Sequence, residues 1–196
     1  MERDTQIAAL LDELVAYGQR HDAEKADRLE RLRNLETETA RMLSVLVQAL
    51  APARVLELGT SNGYSTVWLA QAARTSGGHL TSVEILPERT EQARVNLARA
   101  GLSAVVELRV QDAGEALAAS ADGEWALIFL DSERPAYVRY WPELVRALAP
   151  RGLLVVDNVL SHADELAEFR ALLAGDDRFN EALVPIGAGV LLAVRR

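Results

Sequence analysis

The chain has 196 residues, 49% of them hydrophobic and 26% charged, with no cysteine, a formal net charge of −8 and a pI near 5.0. That length and apolar content suit one domain over residues 1–196 with a substantial core, and the acidic balance argues against a general nucleic-acid binder, which would carry a basic face. The absence of cysteine excludes disulfides and thiolate metal sites and fits a reducing cytoplasm, while no apolar run reaches membrane-spanning length.

Ile7, Leu10, Leu11 and Leu14 recur at helical spacing, and a second helical stretch is read from about Ala23 to Leu50. Within it Glu24-Lys25-Ala26-Asp27-Arg28 reads as a solvated face. Met42, Leu43, Leu46, Val47 and Leu50 form an apolar stripe suited to core or subunit contact, and a homodimer through these N-terminal helices is expected. From Arg54 onward strands and helices alternate. Strands are expected at 54–58, 79–85, 105–110, 125–130, 152–156, 180–185 and 189–194, with helices at about 64–75, 87–100, 112–120, 137–149 and 163–174. Pro87 sits just inside its helix and Gly101 just beyond it. Apolar strands alternating with helices predict an α/β fold, a seven-stranded, mostly parallel sheet with helices on both faces. Only Ile186-Gly187-Ala188 joins the last two strands, too little for a parallel crossover, so they should form an antiparallel hairpin near one edge.

The first strand runs into VLELGTSNGYS at 55–65. Val55, Leu56 and Leu58 suit a buried strand, and Gly59 and Gly63 permit a sharp turn and close approach of backbone to a ligand. Glu57 stands out, because a carboxylate at the end of a buried strand needs a partner. A ligand carrying a cation or several hydroxyls would supply one; a plain strand–turn–helix connection is the other reading. Ser61 and Tyr64 occupy the second and third glycine positions of a dinucleotide fingerprint, and no Lys follows Gly63 as in a phosphate loop. The loop therefore fits a nucleoside better than a pyrophosphate.

In parallel sheets ligands sit beyond the carboxyl ends of the strands. Those ends carry Glu57, Glu84, Gln111-Asp112-Ala113, Asp131 and Asp157-Asn158. Glu84 lies 21 residues beyond Gly63, the distance at which nucleotide-binding folds place a carboxylate on ribose hydroxyls. Asp112 can cap the next helix, approach an adenine, or do both. Asp131, Asp157 and Asn158 are hard oxygen donors suited to Mg²⁺, Mn²⁺ or Ca²⁺, although an Asp-Asn turn is also common at strand ends. Adjacent strand residues face opposite ways, so Asp157 and Asn158 share an ion only if the chain turns there.

The chain resembles class I S-adenosylmethionine-dependent methyltransferases with a Rossmann-like fold, specifically the catechol and caffeoyl-CoA O-methyltransferase-like group. The resemblance covers about residues 33 to 196 and rests on RNLETETARML (33–43), VLELGTSNGYS (55–65), VEILPERTEQARVNLARAG (83–101), QDA (111–113), IFLDSERPAYVRYW (128–141), PRGLLVVDN (150–158) and VPIGAGVLLAV (184–194). It implies that Glu57, Gly59, Thr60, Ser61, Gly63 and Ser65 surround the methionine portion of S-adenosylmethionine, with Glu57 reaching its amino group directly or through water. Glu84 would hold the ribose, Gln111, Asp112 and Ala113 would lie beside adenine, and Asp131 would border the cofactor. Asp131, Asp157 and Asn158 would bind a divalent cation, usually magnesium. The implied reaction is methylation of one of two neighbouring hydroxyls on a small catechol-like or hydroxycinnamoyl acceptor.

One position departs from the family. Three residues beyond the first implied metal ligand the family often carries a Lys proposed as general base, and here stands Arg134, which cannot accept a proton. Arg134 can act electrostatically on the developing oxyanion, the metal alone can suffice, or another group can be the base. His162 titrates in the right range, but Ser161 and Asp164 read as a capping box that leaves it a solvated first-turn residue. Trp68, Trp125 and the cluster Tyr137, Tyr140 and Trp141 read as core; Tyr64 is open between cofactor contact and packing. Two alternatives stand beside the small-molecule methyltransferase: one acting on a tRNA wobble-position hydroxyl, and a non-catalytic S-adenosylmethionine-binding protein, for which Arg134 is the motive.

Overall fold

The computed structural model describes residues 2–27 and 30–196. In chain order the elements are α1 (Glu2–Ala23), α2 (Thr37–Leu50), β1 (Arg54–Leu58), α3 (Tyr64–Ser76), β2 (His79–Glu84), α4 (Pro87–Arg99), β3 (Val106–Val110), α5 (Ala113–Ala119), β4 (Trp125–Leu130), a 3-10 turn (Arg134–Ala136), α6 (Tyr137–Ala147), β5 (Leu148–Val156), α7 (Ala163–Ala174), β6 (Phe179–Val184) and β7 (Val190–Arg195). The strands form one sheet in the order β3-β2-β1-β4-β5-β7-β6. The first five are parallel and β7 runs antiparallel to both neighbours, as the short five-residue link between β6 and β7 requires.

Side-chain alternation sorts the strands onto two apolar layers. Val55, Leu80, Leu127, Phe129 and Val155 pack with α1 to α4, whereas Leu56, Leu58, Ile128, Leu130 and Val156 pack with α5 to α7. With both faces covered, the sheet leaves its edges and strand ends for ligands. No described helix is long and apolar enough to cross a membrane.

Two expectations fail locally. The helix read from Ala23 to Leu50 begins only at Thr37, and Arg28 lies outside the described residues. Leu32 and Leu35 are both buried, and their i, i+3 spacing imitates a helix. Residues 31–36 instead run irregularly. The Asp22 carboxylate accepts from the N–H groups of Leu32 (2.7 Å) and Arg33 (2.8 Å), and Asn34 Nδ2 donates to the Leu14 carbonyl (2.9 Å). These bonds to α1 replace helical ones. Strand β5 starts at Leu148 rather than 152, because an irregularity against β4, with Arg151 at φ +63°, extends the pairing. In the apolar stripe of α2, Leu43 and Val47 are core while Leu50 stands exposed, as does Val45 outside the stripe.

Candidate active site at the carboxyl ends of the strands

Strand order reverses between β1 and β4, so the loops leaving their carboxyl ends diverge and open a crevice. A cavity of about 540 Å³ lies there, a volume ordinary for small-molecule sites. Its wall contains Gly59, Thr60, Ser61, Ser65, Glu84, Gln111, Asp112, Ala113, Asp131, Arg134, Asp157, Asn158 and His162; Glu57 and Gly63 are absent from it.

Glu57 faces α3 rather than the opening and has no exposed surface. Its carboxylate accepts from Ser65 Oγ at 2.5 Å, Thr66 Oγ1 at 2.6 Å and Ser82 Oγ at 2.6 Å. The partner expected from a ligand is thus supplied by the protein. Burial nevertheless pushes its pKa up to about 7. Thr60 Oγ1 lies 2.6 Å from Ser82 Oγ. Since Ser82 spends its proton on Glu57, Thr60 must donate to Ser82. Both cavity hydroxyls, Ser65 and Thr60, therefore point their protons inward and present lone pairs to the cavity. The buried charge is relayed to the wall as two polarised acceptors, an arrangement suited to an ammonium.

The two glycines of the loop serve the fold more than the ligand. A Cβ on Gly59 (φ +106°) would lie 2.1 Å from the Asp131 carbonyl, so glycine permits the close approach of the loops after β1 and β4. A Cβ on Gly63 (φ +87°) would lie 2.9 Å from Ala93 Cβ, which keeps the loop against α4. Ser61 Oγ donates to the Leu32 carbonyl at 2.9 Å and pins the irregular segment over the cavity.

On the opposite wall, Glu84 accepts from Ser61 N (2.9 Å), Ile85 N (3.0 Å) and Leu86 N (3.1 Å). Three backbone donors fix both carboxylate oxygens and leave a lone pair on Oε2 free for a hydroxyl. Asp112 caps α5, with Oδ1 accepting from Gly114 N at 2.8 Å and Glu115 N at 3.1 Å, while still lining the cavity. Tyr140, expected in the core, lines the cavity instead. Its ring lies so close to Gly114 that a Cβ there would come within 2.8 Å of Cε1.

At the ends of β4 and β5 the acids converge. Asn158 has φ +66°, so the chain turns after β5 and its side chain comes back beside Asp157. Asn158 Nδ2 donates to Asp131 Oδ1 (3.1 Å) and to Asp157 Oδ2 (3.0 Å). Asp157 Oδ1 is buried without a hydrogen-bond partner. Burial raises both carboxyl pKa values, and for Asp157 the neighbouring charges of Asp131 and Glu36 add to it. Arg33 and Arg134 oppose the rise at Asp131. An orphaned carboxylate oxygen, two carboxylates disfavouring each other's ionisation and an amide oxygen fit a hard divalent cation. Among the described residues no three His, Cys, Asp or Glu side chains cluster for a metal, so a cation here would depend on the amide and on non-protein oxygens.

Arg134 is 3% exposed and its Nε donates to Glu165 Oε2 at 2.8 Å. His162 is half-buried at the cavity rim, with Nδ1 2.9 Å from Ser161 Oγ. The capping box does not form: the residue preceding α7 is His162, with no side-chain cap. Ser161 Oγ turns to the Asn158 carbonyl, at 3.4 Å. Sequence reasoning also missed Arg33 and Glu36, which line the cavity because 31–36 is not helical. It missed Asn62 as well, a buried loop residue whose polarity was the available signal.

A family model described as O-methyltransferase matches residues 6–196. A catechol O-methyltransferase of Mycobacterium tuberculosis is 39% identical over 135 residues, 68% of this chain and 60% of that protein. One from Niastella koreensis is 34% identical over 148 residues, 73% and 66% of the respective chains. The alignments thus span about three-fifths to two-thirds of these curated relatives. Among solved structures, the cofactor-bound Rv0187 from MTB superposes with a TM-score of 0.77 at 28% identity, covering 100% of this chain and 90% of that one. An O-methyltransferase from Bacillus cereus in complex with SAH shares the fold, with a TM-score of 0.78 at 23% identity over 96% and 91% of the two chains.

Proposed function

The chain belongs to the O-methyltransferase family, and on that premise we propose that it is an S-adenosylmethionine-dependent, divalent-metal-dependent O-methyltransferase acting on a small catechol-like or hydroxycinnamoyl acceptor. The observation that carries this reading is one cavity holding both the nucleoside-facing Glu84 and Asp112 and the acid–amide trio of Asp131, Asp157 and Asn158. The names of the Mycobacterium and Niastella relatives support a catechol acceptor.

Glu84 accepts a ribose hydroxyl with the Oε2 lone pair its backbone donors leave free, and Asp112, Ala113 and Tyr140 border the base. Ser65 and Thr60 accept the ammonium of the methionine portion and carry the charge of Glu57 to it. Asp131, Asp157 and Asn158 would hold the cation, which would satisfy the buried Asp157 Oδ1 atom. A bound divalent cation lowers the pKa of a hydroxyl presented to it. In the transfer, the acceptor oxygen forms a bond to the methyl carbon as the carbon–sulfur bond breaks, its electron pair returning to sulfur, and the hydroxyl proton leaves to water. Arg134 keeps its protons throughout and favours the ionised oxygen. The cavity walls align donor and acceptor, which accounts for much of the rate in such transfers.

The acidic balance of the chain weighs against tRNA as acceptor. A homodimer through α2, supported by the exposed Val45 and Leu50, and a cytoplasmic location belong to the same proposal. The test is calorimetry with S-adenosylmethionine, followed by methylation of simple catechols and of bulk tRNA with and without EDTA. Binding that survives EDTA, with catechol methylation that does not, is expected. Absence of cofactor binding, or full activity in EDTA, would refute the proposal.

A further inference from the structure

Arg134 presents an unsolved pairing. Its side chain is almost wholly buried in the 3-10 turn between β4 and α6, at the cavity wall. Nε has Glu165 as partner, yet Nη2 is buried with no hydrogen-bond partner. A buried guanidinium with an unused donor is costly unless something arrives to accept from it. The charged and titratable groups facing it are Asp131 from the end of β4, Asp157 from the end of β5, Tyr137 from α6 and Glu165 from the first turn of α7. The two aspartates feel its charge, but their hydrogen bonds go to Asn158 instead. The Tyr137 hydroxyl is committed to the Ser132 backbone. Nη2 therefore has no protein partner, and it belongs to a residue of the cavity wall.

Among the described residues Glu165 is the hydrogen-bond partner of this side chain. An arginine has four flexible torsions, and a single bond at Nε from a carboxylate fixed on a helix sets the plane of the fork while leaving its far nitrogens available. We propose that Glu165 is a positioning residue for methyl transfer: it fixes Arg134 so that Nη2 donates to the ionised oxygen of the acceptor. The proposal rests on the methyltransferase reading above. It assigns no proton-accepting side chain at this position. The acceptor proton goes to water, the carbon–sulfur electron pair returns to sulfur, and Arg134 contributes a fixed charge that Glu165 keeps in register. Glu165 is a third exposed, so truncating it opens no core cavity.

The experiment uses 4-nitrocatechol, whose visible absorption reports its ionised form, with Mg²⁺ and S-adenosylhomocysteine. Wild type, Glu165→Ala, Glu165→Gln, Arg134→Gln and the double variant Glu165→Ala/Arg134→Gln are titrated below the pH at which the free dye ionises. Turnover of catechol is measured in parallel. Glu165→Ala should weaken binding of the ionised dye about 10-fold and lower kcat about 10-fold, with S-adenosylhomocysteine affinity unchanged. Glu165→Gln, which retains an oxygen for Nε, should stay within about threefold of wild type. In the Arg134→Gln background, Glu165→Ala should change nothing further, because its effect passes through Arg134. Wild-type behaviour of Glu165→Ala, equal losses in the Ala and Gln variants, or additive losses in the double variant would overturn the proposal. A wild type that binds neither ligand would overturn the methyltransferase reading, and this inference with it.

Discussion

Replacing Glu57 by Gln tests whether the carboxylate beneath α3 is a buried, ionisable source of charge for the cavity. Its ordinary pKa of 4.5 rises to about 7 in the fold, and burial is the largest cause. A carboxyl whose folded-state pKa is raised stabilises the fold fully below its unfolded value and loses that contribution as pH rises through the folded one. Here the loss runs from about pH 4.5 to just above 7 and amounts to about 3 kcal/mol. Gln keeps the shape and does not titrate; its amide nitrogen cannot accept, so the hydroxyls at that one position must turn to accept from it, at either pH alike. Denaturation of ligand-free wild type and Glu57→Gln at pH 5 and pH 8 should therefore diverge. The difference in stability should move about 3 kcal/mol in the variant's favour, or about 6–12 °C in melting temperature for a chain of this size. The stabler variant should be the poorer binder. Without the charge behind Ser65 and Thr60, affinity for S-adenosylmethionine at pH 8 should fall about 10-fold or more by calorimetry. Parallel pH profiles for the two proteins, or unchanged affinity, would refute the relay.

Three further outcomes are expected. Glu84→Gln removes a charged acceptor shared by three backbone N–H groups and the ribose, and should weaken S-adenosylmethionine binding about 10- to 100-fold by calorimetry. Asp157→Ala should abolish Mg²⁺-dependent turnover while leaving cofactor affinity within about threefold. Because both acids are raised and their contribution is lost as pH rises, Mg²⁺ should raise the wild-type melting temperature at pH 8 more than at pH 5, and Asp157→Ala should erase that difference. Gly63→Ala meets both a positive φ and the Ala93 methyl at 2.9 Å, and should cost about 1–3 kcal/mol in urea denaturation.

What was legible in the sequence, and what was not, divides by the range of the interaction. Strands β1 to β4 and their helices could be read because apolar runs, Pro87 and the loop glycines act within a few residues. The acids at the strand ends were legible for the same reason, since a polar residue closing an apolar run is a local signal. The segment 31–36 was misread because Leu32 and Leu35 carry helical spacing, while the groups that unwind it, Asp22 and Leu14, lie on another element. The need of Glu57 for a partner is legible from its place in an apolar strand, but two of its three partners are side chains on α3 and the third is Ser82 of β2, 25 residues away. The sheet register that brings Glu57 opposite Ser82 cannot be seen in either strand alone. The positive φ of Asn158, on which the convergence of the trio depends, leaves no mark in a sequence where Asn follows Asp at any turn. Arg134 was visible as a departure because its chemistry differs from lysine at a single position. Glu165 was not, because it lies 31 residues further on and looks like any acid in the first turn of a helix. The acidic residues of the cavity wall are therefore mostly predictable here, whereas the groups that set their charge or orientation are supplied by neighbouring elements. Mutagenesis limited to the motif residues would miss Ser82 and Glu165, the two positions where the structure connects a cavity group to its source of charge or its anchor.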